Sequence, residues 1–412
     1  MNKLSLPAGL LDKKTAVIVF LAFAGAYSLS ALVRAIIATL SPVLSLEFSL
    51  QSRDLGLLAG GYFLGFAATQ LPLGTWLDRH GPKRVILCFL AVAVVGCLVF
   101  SAASSFSGLL LGRVLIGMGV SACLMAPLSG FRRWLDVPSL LRANSWMLMS
   151  GSLGMLASTL PVQWLLPLVG WRALFWALAG LVVLAMAAIA LLVPPWSQDA
   201  IDKKEAPAGY AEIWKNRYFQ KMSPLAFVNY GGLVAIQTLW AGPWMVKVAG
   251  YTALQAATGL FYLNATMLLT FWSWGLANPY LARRGWHTDR LIAWGAPVSL
   301  LILAFNIWGG ASTGWVGWAA FCVACTVISL SQPAVGMAFR PALAGRALSA
   351  FNLVIFVGVF TVQWGIGLLV DAFAALGLAR VASFQAAFSV FLCCGIAAYG
   401  YFVYAKVDNP EQ

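Results

Sequence analysis

Charge is what this chain of 412 residues has least of: Asp, Glu, Lys and Arg together make up 9% of it, against 61% hydrophobic residues. With a mean hydropathy of +0.85, that shortage excludes a soluble globule and marks a polytopic, all-α membrane protein. Acids are the scarcer sign, thirteen against 26 Lys and Arg, with two His. All thirteen (Asp12, Glu47, Asp54, Asp78, Asp136, Asp199, Asp202, Glu205, Glu212, Asp289, Asp371, Asp408 and Glu411) fall in predicted loops, tails or helix ends. His80 and His287 fall in loops, so no acid or imidazole is expected mid-membrane to carry a proton. No loop contains cysteine: all seven lie within apolar stretches, which excludes a disulfide framework. Cys322 and Cys325 form a C-x-x-C without His neighbours, a packing pattern rather than a metal site, and no cofactor is expected. A G-x4-GK[ST] loop is missing as well, which excludes nucleotide-driven transport, and no catalytic constellation suggests an enzyme. The net charge of +13 is dealt out in twos to fives between apolar stretches, so it reads as membrane topology and not as a nucleic-acid surface.

What the chain does have is apolar length. Crossing the hydrocarbon takes about 20 residues, and twelve such segments can be read. The first six are Thr15 to Leu40, Asp54 to Leu77, Val85 to Ser104, Ser107 to Gly130, Ala143 to Leu166 and Trp171 to Val193. The second six are Ser223 to Lys247, Thr252 to Leu276, Leu291 to Gly309, Thr313 to Phe339, Ala347 to Asp371 and Ala382 to Ala405. One long basic loop, Pro194 to Met222, divides them. The expected organisation is an amino-terminal six-helix bundle (residues 1–193), a linker (194–222) and a carboxy-terminal six-helix bundle (223–412), with the substrate site between the bundles near the midplane. Counting Lys and Arg by side gives twenty against four if the amino terminus is cytoplasmic. Both termini and the linker are therefore expected in the cytoplasm of a plasma, or bacterial inner, membrane.

The join between the second and third segments is the most specific stretch in the chain. Gly74 to Arg84 reads GTWLDRHGPKR, placing Gly74, Asp78, Arg79, Gly81, Lys83 and Arg84 at the spacing G-x3-D-R-x-G-x-[KR]-[KR]. A Gly lets helices approach, Gly81-Pro82 turns the chain and the cations anchor the turn at the cytoplasmic face, while Asp78 caps or pairs locally. This stretch resembles the signature loop between transmembrane helices 2 and 3 of the major facilitator superfamily. The resemblance implies a monomeric two-bundle transporter of a small-molecule substrate working by alternating access, with these residues governing the inward gate. A second copy is weaker: Gly275 to Arg290 (GLANPYLARRGWHTDR) has Asn278 where an acid would stand, and three extra residues between its glycines.

Two arginines fall inside predicted segments, and intramembrane charge is a functional hypothesis by default. Arg34 shares a face of the first segment with Tyr27, Ser30 and Ala31. Two readings stand: Arg34 binds substrate, or it snorkels outward across the roughly 9 Å of helix that remains before Leu40. Arg113, in GRVLIGMG, resembles the arginine of the family's fourth-helix pattern, with Ile116 where a Gln often stands; the resemblance implies a structural role, and direct contact with substrate is the other reading. Both lie a similar depth below the outer surface, so one anionic group could bridge them, and a guanidinium fork suits carboxylate or phosphate. The second half offers neutral partners: Tyr230, Gln237, Trp240 and Trp244 along segment seven, Tyr262 and Asn264 on eight, Gln332 on ten, and Asn352 and Gln363 on eleven. Gly242-Pro243 is expected to break segment seven. Small residues Gly151, Gly154 and Ser158 predict a tight crossing on segment five. The reading that follows is exchange or uniport of an organic or inorganic anion. The alternatives are a neutral or amphiphilic solute in a cavity rich in Trp and Met, and a metal or metal-chelate permease.

Overall fold

The computed structural model describes residues 10–195, 210–405 and 407, and they form twelve long helical rods. Helix α1 is Lys13–Phe48. Helices α2 (52–80) and α3 (82–101) are parted only by Gly81, at φ 76° and ψ 161°, a conformation that favours glycine and turns the chain where the sequence indicates. Helix α4 is Phe106–Trp134; α5 (137–169) and α6 (171–192) meet at Gly170 in the same left-handed region. After a short helix, Tyr210–Lys215, come α7 (217–247) and α8 (Ala253–Arg283). The last four are α9 (Thr288–Gly309), α10 (Trp315–Met337), α11 (Pro341–Ala375) and α12 (Arg380–Tyr404). Each predicted segment lies on one of these rods.

The expected ends moved for identifiable reasons. Asp12 caps α1 by accepting from the Lys14 and Thr15 amides, and bonds from Thr15 hold its carboxyl below the usual range. At the other end α1 runs eight residues beyond the expected Leu40, straight through Pro42. Proline cannot donate to the carbonyl four residues back. Here that carbonyl belongs to Ala38, and the Ser41 hydroxyl donates to it at 3.0 Å instead. Gly242-Pro243, expected to break α7, does not: residues 241–247 stay helical. Wide turns at Ala226–Tyr230 and Ile236–Trp240 precede it, and the second absorbs the missing proline donor by loosening the ladder just upstream.

Close approaches hold the rods. Thr39 Oγ1 donates to Ser158 O at 2.8 Å and Ser28 Oγ to Ser150 O at 2.6 Å, while a Cβ on Gly154 would overlap Ser28 O, so the small face of α5 packs on α1 as its composition predicts. Helix α2 is thin on two sides. A Cβ at Gly56 or Gly60 would strike Gln363 or Phe360 of α11; one at Gly61 or Gly65 would strike Leu110 or Val114 of α4. Bends in α2 at Thr69 and in α4 at Ser121 face each other, their hydroxyls 2.8 Å apart. Lys83, in the α2–α3 turn, donates to Val193 O at the end of α6 at 2.6 Å. The Asp78 side chain lies outside those described, as does the linker from 196 to 209.

Candidate functional site

With α1 running to Phe48, Arg34 lies fourteen residues from its end, about 21 Å along the axis. That is beyond the reach of an arginine side chain, so its charge does not extend to this end of the helix. Around its guanidinium stand the hydroxyls of Tyr27 on α1 and Tyr62 on α2, with Tyr230 of α7 and the Cys123 thiol of α4 in the same electrostatic neighbourhood. Its Nε is buried and has no hydrogen-bond partner. The described carboxylates of Asp12, Glu47, Asp54, Asp136, Glu212, Asp289 and Asp371 all sit at helix ends or in loops, and none is aimed at Arg34.

Arg113, fully buried, is placed differently. Its Nη1 donates to Val33 O at 2.6 Å and its Nη2 to Arg34 O at 3.4 Å, so the fork grips the backbone of α1 from behind the residue that carries the other guanidinium. The Tyr62 ring covers it at 5.0 Å, and the Tyr62 hydroxyl reaches toward Ser30 O at 3.4 Å. A single tyrosine thus touches both arginines, with its face on one and its hydroxyl toward the other. The two guanidinium forks do not converge: the Nε of each is buried without a partner, but the terminal nitrogens of Arg113 end on carbonyl oxygens of α1, whereas no described hydrogen bond ties those of Arg34 to backbone.

The neutral candidates divide in the same way. Tyr230 closes the first wide turn of α7 and faces Arg34. Gln237, in the second wide turn, donates to Asn264 Oδ1 at 2.9 Å, and Asn264 donates to Leu260 O within α8. Gln332 donates to Asn352 Oδ1 at 2.5 Å, joining α10 to α11. Trp240 is fully buried: its Nε1 donates to Gln363 O at 3.1 Å and its ring lies edge-on to Phe384 and Phe388, which makes it packing and not lining. Tyr262 is 48% exposed against Trp315, two residues and so about 200° of helix away from the face on which Asn264 meets Gln237. It does not join the group around Arg34.

Sequence reasoning passed over Tyr62, which sits in GGYFLGF between glycines that bring α4 and α11 close. A hydroxylated aromatic flanked by small residues was the available signal. Of the gating stretch, Gly74 has open space where a Cβ would stand, Lys83 is tied to α6, and His80 and Arg84 line an apolar cavity of about 530 Å³ with Trp76, Phe89 and Met118. Arg34 does not line that cavity.

Comparison with known proteins agrees with this architecture. The chain is 26% identical to the inner membrane transport protein YajR of Escherichia coli (strain K12) over 322 residues, 74% of this chain and 66% of YajR. It is 27% identical to the multidrug resistance protein MdtL of Shigella flexneri serotype 5b over 242 residues, 56% of this chain and 58% of that protein. The chain thus spans somewhat under two thirds of the curated relatives it matches. Among solved structures, a bacterial homologue of the human lysosomal transporter Spinster superposes with a TM-score of 0.78 at 17% identity, covering 96% of this chain and 98% of that one. A D-xylose–proton symporter gives 0.76 at 14% identity, again over 96% and 98%. These two likenesses establish the fold. The family model of the Major Facilitator Superfamily matches residues 23–362, and with twelve rods, the Gly81 turn and an arginine clamp between α4 and α1, the chain belongs to that superfamily of membrane transporters.

Proposed function

We propose that this protein is a secondary transporter that moves a small solute with an anionic group across the bacterial inner membrane by alternating access, as exchange or uniport. One observation carries the reading: Arg34, partly buried with its Nε enclosed and unpartnered, lies among tyrosine hydroxyls, is tied to no backbone carbonyl by a described hydrogen bond and faces no described carboxylate. A guanidinium held in low dielectric without a counter-charge favours an anion over a cation or a neutral solute, because the anion supplies the missing bonds. Tyr27, Tyr62 and Tyr230 supply hydroxyls around the same group, and the Gln237–Asn264 pair lies two turns along α7 for a polar remainder. Residues 1–193 and 223–412 act as the two bundles, joined through a linker that the excess of Lys and Arg puts in the cytoplasm with both termini.

A second reading is supported by relatives named for multidrug resistance: an amphiphilic solute held by the apolar and Met-containing interior. Thermal shift on purified protein separates the two. Carboxylates, phosphate and nitrate are expected to raise the melting temperature of the parent, and the increment is expected to vanish in Arg34→Gln. Stabilisation by hydrophobic cations that persists in Arg34→Gln would establish the amphiphile reading in its place.

A further inference from the structure

The mechanism above leaves unexplained an acid at the end of the molecule away from both termini. Asp371, one turn before the end of α11, accepts from the Ser52 amide at 3.1 Å and from the Arg53 amide at 2.8 Å, one on each carboxylate oxygen. These are the first two amides of α2, and no intrahelical acceptor exists for them. The Gln51 amide goes to Asp54 Oδ2 at 3.0 Å, and Leu55 N already bonds Gln51 O. Asp371 therefore caps α2 from another helix, a role normally filled by the residue at the helix's own start. Gly367, one turn back on α11, lies where a Cβ would overlap Ser52 O, so the backbones touch where the cap forms.

We propose that Asp371 is a gating residue for transport: its cap on α2 closes this end of the molecule, and opening that end requires handing the Ser52 and Arg53 amides to water. The surroundings suit a contact made to be broken. A cavity of about 220 Å³ borders Ser52 and Asp371 and gives water a place beside the bonds. Lys247 of α7 and Arg380 of α12 line the same cavity, and neither is ion-paired among the described residues. Both cations belong to the same half of the chain as Asp371, so the carboxylate keeps its counter-charges when α2 leaves. Only the amides of α2 lose a partner, and they regain one from solvent. A cap with one low-cost alternative is bistable, as a gate must be. The remaining charges near by, Arg53 and Asp54, sit 3.7 Å apart on α2 itself and travel with it.

The test needs no substrate. Spin labels at Leu46 on α1 and at Leu376 just past α11, both exposed at this end and in opposite halves, report the opening distance in full-length protein with its native cysteines replaced by serine. Pulsed electron resonance is expected to show one short distance in the parent, and a longer population at least threefold enlarged in Asp371→Ala. Asp371→Glu, which keeps the carboxylate, is expected to restore the parental distribution. Ser52→Pro removes one donor while suiting the first position of a helix, and is expected to give an intermediate shift. It also decides the matter if Asp371→Ala does not fold. A role in folding alone lowers the melting temperature without creating the longer distance. Identical distance distributions in the parent and the folded variants overturn the proposal.

Discussion

Arg113, fully buried, and Arg34, partly buried, lie close together on neighbouring helices, yet the chain treats them in opposite ways. Arg113 gives both terminal nitrogens to carbonyls of α1 and its face to Tyr62, so its charge is spent inside the protein. Arg34 lies among tyrosine hydroxyls with no described hydrogen bond from its guanidinium to backbone, although the Nε of both arginines is buried without a partner. The two charges thus have different roles, and what separates them is whether the terminal donors end on fixed backbone or lie among groups that can turn. A clamp of the first kind sets where α1 stands against α4. A charge of the second kind waits for something mobile.

The comparison breaks most visibly at the clamp. Replacing Arg113 with Ala is expected to cost on the order of 2–5 kcal/mol of stability, the range for emptying a large buried side chain, read as a lower melting temperature in detergent. Binding per folded molecule should fall little by comparison. Gly117→Ala comes next, since the added Cβ would overlap Tyr62 O and force α2 and α4 apart under both arginines. Overpacking of this kind costs about 1–3 kcal/mol, and it should damage stability and anion response together in the same thermal assay. Arg34→Gln should leave the melting temperature near the parent while weakening carboxylate binding by at least about tenfold, the effect of losing a charged hydrogen bond. An unchanged dissociation constant by calorimetry would remove Arg34 from the site. The smallest effect belongs to Tyr62→Phe, which keeps the ring over Arg113 and deletes the hydroxyl toward Arg34: a loss of about 2- to 10-fold in affinity, with stability nearly unchanged. A large drop in stability there would mean that Tyr62 serves the clamp alone.

How far the sequence could be read depended on whether a feature was local. The twelve apolar stretches and the Gly81 turn were legible because length and a left-handed backbone position announce themselves within a few residues. The true end of α1 was not, since Pro42 looks like a stop and the hydroxyl that rescues Ala38 O is visible only in three dimensions. Continuity through Gly242-Pro243 was hidden for a like reason: the wide turn before it carries no sequence mark. In the site, Arg34 was found by cost, as an intramembrane charge. Tyr62 and the trans cap by Asp371 are products of helix crossings, and Asp371 read simply as an acid at a helix end. Trp240 and Tyr262 look alike in a helical repeat, one in the core and one exposed beside Trp315, because periodicity gives a face without saying what the face meets.

The two glycine faces of α2 also fix a dimension of the whole molecule. With Gly56 and Gly60 bare toward α11 and Gly61 and Gly65 bare toward α4, the space between those two helices is the width of a single unclothed backbone. At 100° per residue the two faces lie about 140° apart around the rod. Substitution along α2 is therefore constrained like the thickness of a shim: one methyl group on the Gly56 and Gly60 face pushes the two halves of the transporter apart, whereas one on the Gly61 and Gly65 face pushes α4 away within the first half.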